Sequence, residues 1–137
     1  METNLINLKI STPNGVFFDG FVDILTVKIA NGYIGIQKNI LPFISNIEIS
    51  TMYINGKNSD KEKICAIGGG LIYVDREYID IFTDDITFKE DINEDKTNKL
   101  IAETKNKLKI KSSNSETLKN ELLLKKAINK IKTINIK

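Results

Sequence analysis

The sequence predicts an α+β chain: an N-terminal antiparallel β-sandwich followed by a C-terminal two-helix hairpin. Three observations carry this. Up to Phe88 apolar residues recur at every second position in short runs. Turn residues, among them Asn31-Gly32 and Asn55-Gly56, separate those runs. Beyond Phe88 the period changes to that of amphipathic helices, with capping signals ahead of each. The chain therefore divides into a body, residues 1–88, and a tail, residues 89–137.

In order, Ile6, Leu8 and Ile10 alternate with Asn7 and Lys9, which predicts a half-buried first strand. Pro13, Asn14 and Gly15 turn the chain into a second extended run from Val16 to Phe18. From Phe21 to Ile29, Val22, Ile24 and Thr26 face one way while Asp23, Leu25, Val27 and Ile29 face the other. Apolar residues on both faces favour a sandwich over a lone sheet. Asn31-Gly32 predicts a tight hairpin with both residues at positive φ, and Tyr33 to Gln37 return. A loop from Lys38 to Pro42, an extended run from Phe43 to Ile49, and a polar loop opened by Asn55-Gly56 precede a strand at Ile64. Leu71–Val74 and Tyr78–Phe82 then flank a turn at Asp75, Arg76 and Glu77. Gly68, Gly69 and Gly70 feed a strand rather than a helix N-terminus, so they read as a bulge or a close backbone approach and not as a phosphate cradle.

In the tail, Asp91 with Glu94 three residues on predicts a capped helix to about Lys109, with Leu100, Ile101, Thr104 and Leu108 on one stripe. Lys111 to Ser115 is a polar break, and Ser113 followed by Glu116 starts a second helix. There Leu124, Ile128 and Ile131 line one face, while Lys126, Lys130 and Lys132 lean toward others.

Composition narrows function. The chain of 137 residues contains no histidine, which removes the usual proton carrier near neutral pH. Its single cysteine, Cys65, has neither a disulfide partner nor an imidazole base and is expected to be buried. Asp84, Asp85, Glu90 and Asp91 are read as a strand exit and an acidic helix start that complements the helix dipole, not as a metal or acid/base site. Charge is lopsided. Residues 1–90 carry eight Lys/Arg and twelve Asp/Glu, a net −4, and residues 91–137 carry twelve Lys and six Asp/Glu, a net +6. A basic arm on an acidic body could seek nucleic acid, anionic lipid or an acidic protein surface. The opening METNLINLKIS alternates instead of forming a secretory signal, and no apolar stretch is long enough to span a bilayer. The expected place is the cytosol, with any tie to a membrane running through partners.

A β-sandwich followed by a helical hairpin resembles the epsilon subunit of F-type ATP synthases, and particular residues carry the likeness. The family's G-E-L-G-I-x-P-x-H-x-P segment is matched by Gly32, Tyr33, Ile34, Gly35, Ile36, Gln37, Lys38, Asn39, Ile40, Leu41 and Pro42. Its F-x-G-x-V is similar to Phe18, Gly20 and Val22, and its glycine-rich strand with a V-x-x-x-x-V-x-V hairpin to Gly69, Gly70, Val74, Ile79 and Ile81. Ile40 stands where the family usually has histidine, Tyr33 where it has an acidic residue and Lys38 where it often has proline.

The resemblance implies a non-catalytic rotor subunit with no cofactor, at the cytoplasmic face of the bacterial membrane and attached only through its complex. Its sandwich would couple a gamma shaft to a c-ring through Tyr33, Ile34, Ile36, Ile40, Leu41, Pro42 and Phe43. The hairpin would restrain ATP hydrolysis by reaching the alpha and beta subunits through Lys125, Lys126, Lys130 and Lys132. Some relatives bind ATP through I/L-D-x-x-R-A and two arginines. Here the motif is Ile92, Asn93, Glu94, Asp95, Lys96 and Thr97, with Lys126 and Lys130 in the arginine places, so any site is weakened. A specialised F-like ATPase that does not serve synthesis is the alternative. A free adaptor with a nucleic-acid-binding hairpin is disfavoured, since the tail has no aromatic residue to stack on bases and no arginine to read them.

Overall fold

The computed structural model describes residues 4–110 and 113–136; the Lys111-Ser112 part of the expected polar break lies outside the described residues. Eight strands, β1 (Ile6–Thr12), β2 (Gly15–Val22), β3 (Leu25–Ile29), β4 (Gly32–Ile36), β5 (Phe43–Ile54), β6 (Lys63–Val74), β7 (Tyr78–Phe82) and β8 (Ile86–Phe88), precede a turn of 3-10 helix at Lys89–Asp91 and two helices, α1 (Glu94–Leu108) and α2 (Asn114–Ile134). Strand order is β2-β1-β7-β6-β5-β3-β4, with β8 added to β6. The pairing is antiparallel as expected, except that β1 runs parallel to β7.

β6 organises the body. Its last four residues pair with β7 and Cys65–Ile67 pair with β8, while β5 follows its whole length. The change of partner falls at Gly68, Gly69 and Gly70. The β5–β6 register is the same on both sides of them, so no residue is inserted and there is no bulge. The need is for close approach: a Cβ at Gly70 would lie 2.4 Å from the Phe82 carbonyl oxygen, and one at Gly68 would lie 2.9 Å from Asp85. Gly69 supplies a φ of +88°.

Two local expectations are corrected. The run from Phe21 to Ile29 is not one strand, because Asp23 and Ile24 carry the chain from β2 to β3. The step flips side-chain parity, so Val22, Leu25 and Val27 all enter one core with no exposure. At Asn31-Gly32 only the glycine has positive φ, at +113°; the two-residue turn is Ala30-Asn31 and Gly32 already pairs with Ile29. Asn55 itself takes φ +70°, and its side chain accepts from the Asp23 N–H and donates to the Lys61 carbonyl.

Ile and Leu dominate the core: Ile6, Leu8, Ile10, Ile36, Ile72 and Ile81 are fully buried. Burial of each stabilises the fold by about 1.5–3 kcal/mol before entropy is counted. Cys65 lies among them, fully buried. Desolvation, reinforced by the Glu90 charge, pushes its thiol up from 9.0 to about 12. The folded state thus disfavours the thiolate that the unfolded chain forms above pH 9.0. The stabilisation is complete below that pH, and each further pH unit up to about 12 should cost about 1.4 kcal/mol of stability. Urea unfolding across this range is expected to show a flatter alkaline decline in Cys65→Ala than in the parent chain; equal slopes would remove the thiol from the account.

The hairpin begins later than the sequence suggested. Asn93, not Asp91, caps α1, its Oδ1 accepting the Lys96 N–H at 2.9 Å, while Asp91 ends the 3-10 turn. Ser113 caps α2 as expected, accepting from the Glu116 N–H at 3.3 Å. Thr97 and Thr104 are the buried residues of α1, and Leu100, one position off that row, is exposed. α2 rather than α1 makes the main contact with the sheet, over β5 and β6.

Candidate docking surfaces

The loop between β4 and β5 is held by the Asn39 N–H, which donates to the Arg76 carbonyl at 2.8 Å and ties it to the β6–β7 turn. Asn39 adopts φ +70° to do so. Leu41, 77% exposed, and Pro42 point outward. The other expected contact residues differ in exposure. Ile36 is fully buried, and Ile34, Ile40 and Phe43 pack against the core. Tyr33 stays 49% exposed, with its hydroxyl donating to the Thr51 carbonyl at 2.9 Å.

From the loop toward α2, one face of the sheet carries apolar groups that no sequence motif marks. Ile44 is 70% exposed, Leu71 51% and Phe82 54%. Leu71 pairs directly with Phe82, and Ile44 pairs with Tyr73, whose ring stacks on Tyr78 with centroids 5.9 Å apart. Neighbouring pairs of this kind lie within side-chain reach of one another. The signal was present as apolar residues at both parities of β5 to β7, because Ile72, Val74, Ile79 and Ile81 fill the opposite, core face. A soluble surface seldom leaves such a patch uncovered without a partner for it.

The second surface is the seat of α2 on the sheet, and it is polar. Thr133 and Thr51 share a hydrogen bond at 2.8 Å, with Thr133 fully buried. The Asn129 amide donates to the Ser50 carbonyl at 2.8 Å, and the Lys89 ammonium donates to the Ile136 carbonyl. Lys126 reaches Asp84 at 3.5 Å and Lys130 reaches Asp85 at 3.8 Å. Asp84 and Asp85 lie at the exit of β7, as expected from sequence, and before the chain enters β8 they meet basic residues of α2. Lys125 and Lys132 stay exposed. Of the residues weighed for a nucleotide, Asn93 spends its carboxamide on the α1 cap, Lys96 is exposed, Ile92 closes the 3-10 turn, and Lys126 and Lys130 are paired with carboxylates. No group of His, Cys, Asp or Glu among the described residues could hold a metal ion.

This architecture has known counterparts. The family model described as ATP synthase, Delta/Epsilon chain, beta-sandwich domain matches residues 5–89. The ATP synthase epsilon chain of Mycoplasmopsis pulmonis is 43% identical over 134 residues, covering 93% of this chain and 91% of its own. The chain belongs to the ATP synthase epsilon chain family. The epsilon chain of Mycoplasma mobile is 42% identical over 136 residues, 98% of this chain and 96% of its own. The fold also recurs in a chain of the Euglena gracilis mitochondrial ATP synthase, solved as OSCP/F1/c-ring, with a TM-score of 0.76 and 17% identity over 94% of this chain and 81% of that one. The epsilon family match spans both the body and the helical tail, so the apolar sheet face and the polar α2 seat are features of one epsilon chain.

Proposed function

We propose that the chain is the non-catalytic central-stalk subunit of an F-type ATP synthase, coupling a gamma shaft to a c-ring through residues 1–88 and restraining ATP hydrolysis through residues 89–137. The observation that carries the reading is the near full-length likeness to epsilon chains. The exposed Leu41, Ile44, Leu71 and Phe82 supply the apolar surface such a partner needs. Among the described residues no helix is long and apolar enough to cross a membrane, which fits a peripheral position on the cytoplasmic side, reached through the complex. Lys125 and Lys132 are free to face the catalytic head in the compact form, and Lys126 and Lys130 become available when α2 leaves the sheet. Any nucleotide site here is weak, since Asn93, Lys126 and Lys130 already have protein partners.

Leu41→Asp tests the shaft and ring surface. The side chain is solvent-exposed, so the isolated fold should change by no more than about 0.5 kcal/mol. A carboxylate in the centre of an apolar contact should cost about 1–3 kcal/mol, weakening co-purification with gamma roughly tenfold. Retention of full affinity would reject this surface. Ile40→Asp is the contrasting variant: Ile40 packs against the core, so that change should weaken the fold as well as the contact.

A further inference from the structure

Three Asn-Gly pairs occur in the chain, at Asn14-Gly15, Asn31-Gly32 and Asn55-Gly56, and the fold treats them differently. Asn14 and Asn31 are exposed second residues of two-residue turns, each followed by a glycine at strongly positive φ, +122° and +113°. Nothing lies within 4 Å of a Cβ built on either glycine. No side-chain hydrogen bond holds either carboxamide among the described residues. Asn55, by contrast, is clamped at both ends of its amide, to the Asp23 N–H at 3.1 Å and the Lys61 carbonyl at 2.9 Å. Asn14 has a further property: it lines a cavity of about 420 Å³ together with Asp84 and Asp85, the two carboxylates that α2 reaches through Lys126 and Lys130.

We propose that Asn14 and Asn31 are sites of spontaneous deamidation, that Asn55 is protected by its clamp, and that conversion at Asn14 strengthens the docking of α2. In the reaction the backbone nitrogen of the following glycine attacks Cγ of the asparagine and closes a five-membered succinimide. The Cγ–Nδ2 bond breaks, and ammonia leaves with the proton given up by the glycine nitrogen. Water then opens the ring at either carbonyl, giving aspartate or isoaspartate, with no oxidant or reductant involved. The Asn14 and Asn31 carboxamides have no side-chain hydrogen bond to break among the described residues and no crowding on the Cβ side of the following glycine, whereas Asn55 must first give up two hydrogen bonds. The product at Asn14 is a third carboxylate on the cavity lined by Asp84 and Asp85, the acceptors for Lys126 and Lys130. Added negative charge there draws the basic helix onto the body.

The full chain, incubated in warm, mildly alkaline buffer and mapped by peptide mass spectrometry, reads the first part. Asn14 and Asn31 should convert roughly tenfold or more faster than Asn55 in the folded chain, since each hydrogen bond of the clamp opposes attack, and the three rates should converge in urea. Folded rates that are equal at all three sites, or an Asn14 as slow as Asn55, would overturn the proposal. For the coupling, amide-exchange protection of α2 is compared in Asn14→Asp and Asn14→Gln, which differ in charge but not in bearing a glycine neighbour. At low salt the aspartate variant should be protected about two- to fivefold more, with the difference vanishing at high salt. Equal protection at low salt would overturn the link to α2.

Discussion

A chain ended after Glu90 is expected to assemble into a coupled complex that hydrolyses ATP about threefold faster or more. Thr51–Thr133, Asn129–Ser50 and the two lysine–aspartate pairs are polar contacts of a kind that contribute about 0.5–1.5 kcal/mol each when buried and less at the surface. Together they set a gap of a few kcal/mol, which a competing acidic surface can reverse. If the extended hairpin is the brake, removing it releases hydrolysis. Loosening its seat does the opposite: Asp84→Asn with Asp85→Asn should lower the hydrolysis rate by freeing Lys126 and Lys130 for the head. The two arms carry opposite signs, so nonspecific damage cannot imitate both. An unchanged rate after truncation would show that the hairpin is only structural. ATP should bind the isolated chain in the millimolar range or not at all, because lysine lacks the bidentate fork of arginine and both lysines are already paired; micromolar binding by calorimetric titration would reverse this.

Gly70→Ala should produce the largest loss of stability of any methyl-sized change in the body. The new Cβ would sit 2.4 Å from the Phe82 carbonyl oxygen and 3.1 Å from Thr83 Cβ. The oxygen belongs to the backbone beside the last β6–β7 pair, Leu71–Phe82, so relief requires moving a strand rather than turning a side chain. Overpacking of this kind costs about 3 kcal/mol, which lowers the melting temperature of a domain this size by more than about 10 °C. Gly20→Ala is the control. Its Cβ would meet only the Phe18 ring at 3.4 Å, and its melting temperature should stay within a few degrees of the parent. Equal melting of the two variants would mean that the β6–β7 approach is softer than the geometry implies.

The sequence read well wherever structure is decided locally. Alternation located the strands around Ile6–Ile10, Tyr33–Gln37 and Tyr78–Phe82, and Ser113 with Glu116 located the start of α2, because side-chain period and capping depend on residues close in the chain. What could not be read depends on residues distant in sequence. Nothing near Ile10 says that its strand runs parallel to the one holding Ile81. Leu124, Ile128 and Ile131 form the apolar row of α2, yet the polar contacts with the body come from Lys126, Asn129, Lys130 and Thr133, whose partners lie 42 to 82 residues away. Ile36 and Tyr33 both matched a contact motif by position, but Ile36 is fully buried while Tyr33 stays 49% exposed with its hydroxyl tied to Thr51. A motif fixes the order of residues along the chain; exposure is decided by which strand comes to lie alongside.

The parallel pairing of β1 with β7 also dictates a timetable for synthesis. β1 lies between β2 and β7, and Asn7 opposes Tyr78. As the chain leaves the ribosome, β1 and β2 can close into a hairpin at once, but the other edge of β1 stays open until almost the whole body has been made. During that interval Ile6, Leu8 and Ile10 have no lid, and their strand offers unpaired backbone groups to any neighbouring nascent chain. β7 closes the edge and completes the core in one late step, and the helices emerge only afterwards. Their polar seat requires a finished sheet, so the hairpin cannot guide the body's folding, and a ribosome paused before Phe82 holds the chain at its most aggregation-prone length.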